Sequence, residues 1–203
     1  MKKVEQNKML KKEALLESAY ELFTTLGFHK TSISDIASGA GVAKGTFYLY
    51  FRDKSAIRNE LIAQKSSRLF LHAMNRLERD ADLSRSAVSD KIIFIVDDII
   101  TSVSKDTELL RFISKNLSWG LFKSVLTMPS DGAEVDFLQV YQQMIADSSR
   151  TFRNPEIMIF LIIELVGSTC YNAVLYRQPV DIDTLKPHLY SAIRLIIEDH
   201  YSD

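Results

Sequence analysis

An all-α chain is predicted, a small N-terminal helix-turn-helix domain of three helices followed by a longer helical body, and three observations predict it. Only seven glycines and four prolines punctuate 203 residues, too few for the turns that sheets need. Apolar side chains recur mostly three and four residues apart, the spacing of one helix face. The breaks that do occur, such as Gly27, Gly41 and Asn154-Pro155, sit at the ends of those stripes. A hydrophobic content of 46% is enough to bury a sizeable core.

Residues 1–10 carry lysines and no apolar period, which predicts a mobile basic arm. Helix 1 is predicted from Lys11 to Leu26, where Leu15, Ala19, Leu22, Phe23 and Leu26 fall on one face and Gly27 stops it. Ser32 or Thr31 then caps a second helix, with Asp35 closing a capping box, and Ile33, Ile36, Ala37 and Ala40 form its apolar stripe. Gly41 ends it and Val42 plugs the turn. A third helix is predicted from Lys44 to Tyr50, with Phe47 and Phe51 turned inward. Asp53 caps a fourth helix, which divides the chain into domains at 11–53 and 54–203. Further helices are expected near 54–80, 86–104, 106–126, 131–152, 155–177 and 183–201.

Charge is distributed unevenly although the total is −1. Residues 1–54 are net basic and the remainder net acidic, which suits a chain that presents one end to phosphate. The single cysteine, Cys170, excludes an internal disulfide and a cysteine-based zinc site. It reads as a small buried hydrophobe, with a redox sensor as the alternative. No export signal follows the lysine-rich start. The apolar run Ile157 to Tyr176 carries Glu164, an acid costly in a bilayer, so a buried soluble helix is expected there rather than a membrane span.

Catalysis is not expected. His29, His72, His188 and His200 lack metal-ligand spacing, Asp97 and Asp98 are adjacent and diverge on a helix, and no phosphate loop or nucleophile elbow is present. Neither a metal nor a cofactor is predicted.

The third helix carries the chemistry. To enter a major groove, its outward face must be slim near the N-terminus and rich in donors, and Lys44, Gly45 and Thr46 meet that demand. Tyr48 and Tyr50 each offer a hydroxyl for phosphate and a ring for thymine methyl or sugar, unless they pack on helix 1 or helix 4. Lys54, at a helix N-terminus, is placed to grip a phosphate together with free backbone N–H groups, unless it is a plain surface lysine. Thr31 is placed to do the same through its hydroxyl.

The string from Thr31 to Lys54, TSISDIASGAGVAKGTFYLYFRDK, resembles the DNA-binding domain of the TetR family of regulators, and Ala19 to Phe28 fits that family's first helix. The likeness covers about residues 11–60. Two positions depart from the family: Ala43 stands where Ser or Thr commonly caps helix 3, and Gly39 interrupts helix 2. The resemblance implies contacts to double-stranded operator DNA from Thr31, Lys44, Gly45, Thr46, Tyr48, Tyr50 and Lys54. It further implies a cytoplasmic homodimer built from the last two helices and an effector cavity in the body. The nearly all-round apolar 155–177 helix and the stripe on the next helix support the dimer, with an intrachain core as the alternative. Phe160, Ile163, Leu189, Ile193 and Ile196 are the expected interface. Trp119, Phe122, Tyr141 and Tyr171 are the expected lining for an apolar or aromatic effector. A repressor released from a palindromic operator by that effector is the reading; a ligand-independent DNA-bound adaptor that recruits a protein is the alternative.

Overall fold

The computed structural model describes residues 3–116 and 137–202. These form α1 (Lys3–Thr25), α2 (Ile33–Gly39), α3 (Lys44–Phe47), α4 (Lys54–Arg79), α5 (Ala81–Ser84), α6 (Val88–Lys105), α7 (Thr107–Asn116), α8 (Phe137–Ala146), α9 (Pro155–Tyr176) and α10 (Ile182–Asp199). Among the described residues no strand forms, and the one β-bridge joins Phe152 to Tyr201. The chain divides into two compact units, Met1–Gln64 and Lys65–Asp203. The division therefore falls inside α4 and not ahead of it at residue 53.

In the first unit, α1 begins at Lys3, so the expected mobile arm is helical. Residues 5–11 are all exposed there. Their lysines, glutamate, glutamine, methionine and leucine are good helix formers, and propensity extends the helix without help from packing. Further along, Leu15, Leu16, Ala19 and Phe23 are buried and Leu26 is exposed. Gly27, at φ +88°, turns the chain out of α1.

The capping box of α2 forms as predicted, with Ser32 as the cap: the Asp35 N–H donates to Ser32 Oγ at 3.1 Å and the Ser32 N–H donates to Asp35 Oδ2 at 2.8 Å. The hydrogen bond from Ser32 holds the Asp35 carboxyl below the usual carboxylate range. Gly41, at φ +66°, makes the turn to α3.

Gly39 has a role that its sequence context did not show. A Cβ at this position would lie 2.4 Å from Ser18 Oγ, whose hydroxyl donates to the Ile36 carbonyl at 2.9 Å. The missing side chain lets α2 lie close on α1. An alanine here would displace Ser18 from a buried hydrogen bond, at about 1–3 kcal/mol, against a helix-propensity gain of about 1 kcal/mol. Gly39→Ala is therefore expected to stabilise a Ser18→Ala background and not the native one. A double-mutant cycle by urea unfolding should show coupling of about 2 kcal/mol, and additive values would refute the contact.

In the second unit, α6 is held from two sides. Asp98, 4% exposed, accepts hydrogen bonds from His72 Nδ1 at 2.8 Å and from Arg76, both on α4. Asp97 pairs with Lys186 at 2.7 Å and accepts from the Tyr190 hydroxyl, both on α10, and Asp90 pairs with Arg194 at 2.9 Å. Burial pushes the Asp97 carboxyl up, but the hydrogen bonds from Lys186 and Tyr190 outweigh it and leave it below the usual range. The adjacent acids thus diverge onto different helices. Behind them, Ile92, Val96, Ile100, Met158, Ile159, Ile162, Leu189, Ile193 and Ile197 form the core.

The short α5 was not predicted. Asp80 caps it by accepting from the Asp82 and Leu83 N–H groups at 3.1 and 3.0 Å, a local signal hidden by the acidic residue that follows. By length and composition α9 would pass for a membrane span, with mean hydropathy 1.8. In the fold it packs on α6, α7 and α10 and buries Met158, Ile159, Ile162, Cys170 and Ala173. The C-terminus is fastened to the α8–α9 connection. Arg153 Nε donates to the Asp199 carbonyl at 2.9 Å, the rings of Phe152 and Tyr201 lie 4.8 Å apart, and the Arg150 guanidinium sits 3.4 Å from the Tyr201 centroid.

Candidate nucleic-acid interface and effector cavity

Helix α3 is shorter than predicted. Regular helix covers Lys44–Phe47, and Tyr48 to Tyr50 continue as turns in which the Tyr50 N–H donates to the Phe47 carbonyl at 3.0 Å. Ala43 supplies no side-chain cap, and Gly45 is a weak helix former, which together account for the short span. What fixes α3 is aromatic packing. Phe47 and Phe51 are 0% and 2% exposed, with ring centroids 5.6 Å apart.

With those two rings inward, Lys44, Gly45 and Tyr48 are exposed, and Thr46 and Tyr50 are half-buried. A Cβ at Gly45 would meet nothing, so no neighbour in the chain requires a glycine there. Leu49, 77% exposed, lies between the two tyrosines. It was not among the expected contacts.

Two expected phosphate contacts are corrected. Thr31 is 1% exposed, and its Oγ1 lies 3.0 Å from the Gly27 carbonyl and 3.2 Å from that of Leu22, to which it donates. Its hydroxyl closes the α1–α2 corner. Lys54 Nζ donates to the carbonyls of Phe28 and Thr31 at 2.6 and 2.7 Å and lies 4.4 Å from the Phe28 ring centroid. The ammonium is thereby committed to the same corner. Asp53 caps α4 as expected, accepting from the Ala56 N–H at 2.8 Å, and that bond keeps its carboxyl below the usual range.

A cavity of about 220 Å³ lies in the second unit between α4, α6, α7, α8 and α9. Its walls are aliphatic: Leu69, Leu71, Ile92, Ile95, Val96, Ile99, Ile100, Val103, Leu110, Ile113, Ile159, Ile162, Ile163 and Val166. Phe70 and Tyr141 are the aromatic members among the described residues, and Ser66, Ser67, Ser114 and Cys170 the small polar ones. Burial pushes the Cys170 thiol up to about 11, so it is uncharged at neutral pH.

Of the expected lining, Tyr141 is on this cavity, and its hydroxyl donates to the Pro155 carbonyl at 2.7 Å. Tyr171 is not. It pairs edge-on with Tyr176 at 5.9 Å, and its hydrogen bond with Tyr176 raises its phenol above the ordinary value. Helical spacing explains the miss, since Tyr171 follows Cys170 and points about 100° away around the helix. Trp119 and Phe122 lie outside the described residues.

The expected dimer residues are also redistributed. Leu189 and Ile193 are 3% and 0% exposed inside their own chain, so neither is available to a second copy. Ile196, Phe160 and Ile163 are half-buried, and Ile196 and Ile163 pack on the intrachain core. The stripe on α10 was found correctly, but it faces α6 and α9. The large apolar side chains left exposed on these helices are Ile157, Leu161, Tyr176 and Leu195.

Residues 15–61 match the domain described as bacterial regulatory proteins, tetR family. The helix-turn-helix-type transcriptional regulator YdgC of Bacillus subtilis is 33% identical over 100 residues, 49% of this chain and 51% of that protein. The fatty acid metabolism regulator protein of the same organism is 28% identical over 95 residues, 47% of this chain and 46% of the relative. The chain thus spans about half the length of these relatives. Solved structures match along nearly the whole chain. FadR from Bacillus subtilis in complex with stearoyl-CoA has a TM-score of 0.64 at 17% identity, covering 91% of this chain and 97% of its own. Thermus thermophilus FadR, a TetR-family transcriptional repressor in complex with lauroyl-CoA, has a TM-score of 0.59 at 19% identity, covering 92% and 93%. Residues 15–61 thus match a tetR-family DNA-binding domain, and the chain as a whole shares its fold with these solved regulators.

Proposed function

We infer that this chain is a sequence-specific DNA-binding transcriptional repressor, released from its operator when an apolar molecule enters the body cavity. The observation that carries the reading is the two-sidedness of α3. Phe47 and Phe51 anchor it in the core, while Lys44, Gly45 and Tyr48 face outward with room for a partner. Two copies related by a two-fold axis place this helix in successive major grooves roughly 34–36 Å apart, which calls for a palindromic operator in the cytoplasm. The second copy covers the exposed Ile157, Leu161 and Leu195. The effector acts through its different affinity for the DNA-bound and released states.

An aliphatic cavity supports the ligand-released repressor over an adaptor, whose body needs no such space. Solved relatives named as complexes with acyl-CoA point the same way.

Electrophoretic shift with a randomised-operator library tests the DNA reading. Lys44→Ala and Tyr48→Ala are expected to weaken operator binding about tenfold or more and to change base preference at one position per half-site, as loss of a base-edge or methyl contact worth about 1–3 kcal/mol requires. Unchanged affinity and preference in both variants would refute α3 as the reading helix.

A further inference from the structure

The cavity has a direction, given by the contacts between its helices. Asp90 meets Arg194, Asp97 meets Tyr190 and Lys186, and Lys186 reaches Thr101 at 3.3 Å, so α6 and α10 run antiparallel. Helices α9 and α10 are joined by a short connection and pack on one another, so α9 runs parallel to α6. His72 and Arg76 both meet Asp98 while Arg76 also lies over Phe94, which sets α4 antiparallel to α6. One end of the cavity therefore gathers Ser66 and Ser67 from the N-terminal side of α4's wall, Val103 and Cys170, and α7, whose Arg111 lies over the Tyr176 ring at the C-terminal end of α9, adds Ser114 there. The other gathers Ile92, Ile159, Met144 and Tyr141, the last held to Pro155 at the start of α9.

This arrangement is polar at one end and apolar at the other. Three serines stand at the first end, and the Ser66 hydroxyl is buried without a hydrogen-bond partner. No Lys, Arg, Asp or Glu lines the cavity among the described residues. A charged group inside it would lack a counter-ion, whereas an uncharged acceptor would satisfy an idle donor.

Length and volume agree on the occupant. The wall residues of α6 run from Ile92 to Val103 and those of α9 from Ile159 to Cys170. Each stretch is about 16 Å long at the helical rise, or about 12 Å once the bounding side chains are allowed for. An extended chain advances about 1.2 Å per bond, taking the polypeptide's reach as a guide, which gives about ten bonds. Independently, an apolar cavity of about 150 Å³ holds benzene, so 220 Å³ suits an apolar group of about nine carbons.

We propose that the cavity takes one straight alkyl chain of about eight to twelve carbons, with its methyl end at Tyr141 and Met144 and an uncharged acyl carbonyl at Ser66, Ser67 and Ser114. This rests on the reading of the cavity as the effector site and narrows it to medium-chain acyl esters or thioesters. Gly167 lines the cavity, is exposed, and an added Cβ there would meet nothing, which leaves room at the carbonyl end for the rest of the molecule.

Calorimetry on the full chain without DNA tests this with methyl esters, coenzyme A thioesters and free carboxylates of six to eighteen carbons. The tightest binding is expected between about eight and twelve carbons, with a loss of about tenfold or more by sixteen and for the carboxylate of optimal length. Thioesters favoured over methyl esters identify a carrier-borne acyl group as the source; equal affinities identify the ester carbonyl and chain alone. Tyr141→Leu is expected to move the optimum at least two carbons longer, and Ser66→Ala to weaken the esters about threefold to tenfold at an unchanged optimum. Affinity that rises through eighteen carbons, or tighter binding of a fused aromatic of equal size, overturns the proposal. Operator release is measured separately. A matching length profile without release would refute the regulatory reading and leave the cavity assignment standing, and release with a flat profile would do the reverse.

Discussion

Lys54→Met is expected to lower the stability of the N-terminal unit by about 2–4 kcal/mol while leaving the salt dependence of DNA binding unchanged. The ammonium donates to two carbonyls, at 2.6 and 2.7 Å, contributed by residues 26 and 23 positions earlier in the chain. It also stands 4.4 Å from the Phe28 ring, and the Arg58 guanidinium stands 4.5 Å from the same ring. Charge-assisted bonds of this kind contribute about 1.5–3 kcal/mol each, and a cation over a ring roughly another 0.5–1 kcal/mol at a partly exposed site. Methionine keeps the stem and loses every donor. Urea unfolding measures the stability change, and operator affinity across a salt series measures the rest. Were Lys54 a phosphate ligand, the salt slope would fall by about one unit. That result with unaltered stability would sink the corner assignment.

Arg76→Met is expected to cost about 2 kcal/mol, more than Asp98→Asn, although both break the same ion pair. The asymmetry follows from exposure. The Asp98 side chain is 3% exposed, whereas those of Arg76 and His72 are 54% and 59% exposed. Removing the carboxylate charge leaves two cations that water can solvate. Removing the guanidinium leaves a buried carboxylate with His72 as its remaining partner. Denaturant midpoints of the two variants decide the matter. Equal losses, or a larger one for Asp98→Asn, would show that burial of the acid does not govern the cost.

Much of the N-terminal unit was legible because its signals are local. Ser32 and Asp35 are three residues apart, Asp53 and Ala56 likewise, and Phe47 and Phe51 one turn apart. The sequence pattern alone names such pairs. Thr31 and Lys54 were misread because their partners are distant in the chain: both side chains turn back onto the α1–α2 corner, and a hydroxyl or ammonium facing inward has the same sequence signature as one facing out. Gly39 is the same case, since its reason for being glycine is Ser18, on another helix. Leu189 and Ile193 show a further limit. Their spacing established an apolar stripe, but a stripe does not say which neighbour covers it, and here it is the chain's own core. The cavity was expected only from the family resemblance, and its aliphatic character emerges from the helices brought around it.

The neighbouring acids of α6 restrict how that helix responds to anything placed beside it. Successive residues project about 100° apart around a helix axis, so Asp97 and Asp98 act as two spokes tethered to different rims, one on α10 and one on α4. Rolling α6 about its axis in either sense pulls at least one spoke from its anchor. Sliding along the axis by a fraction of an ångström strains both only slightly. A guest lying lengthwise against Ile92, Val96 and Ile100 therefore meets a wall that yields by translation and resists rotation.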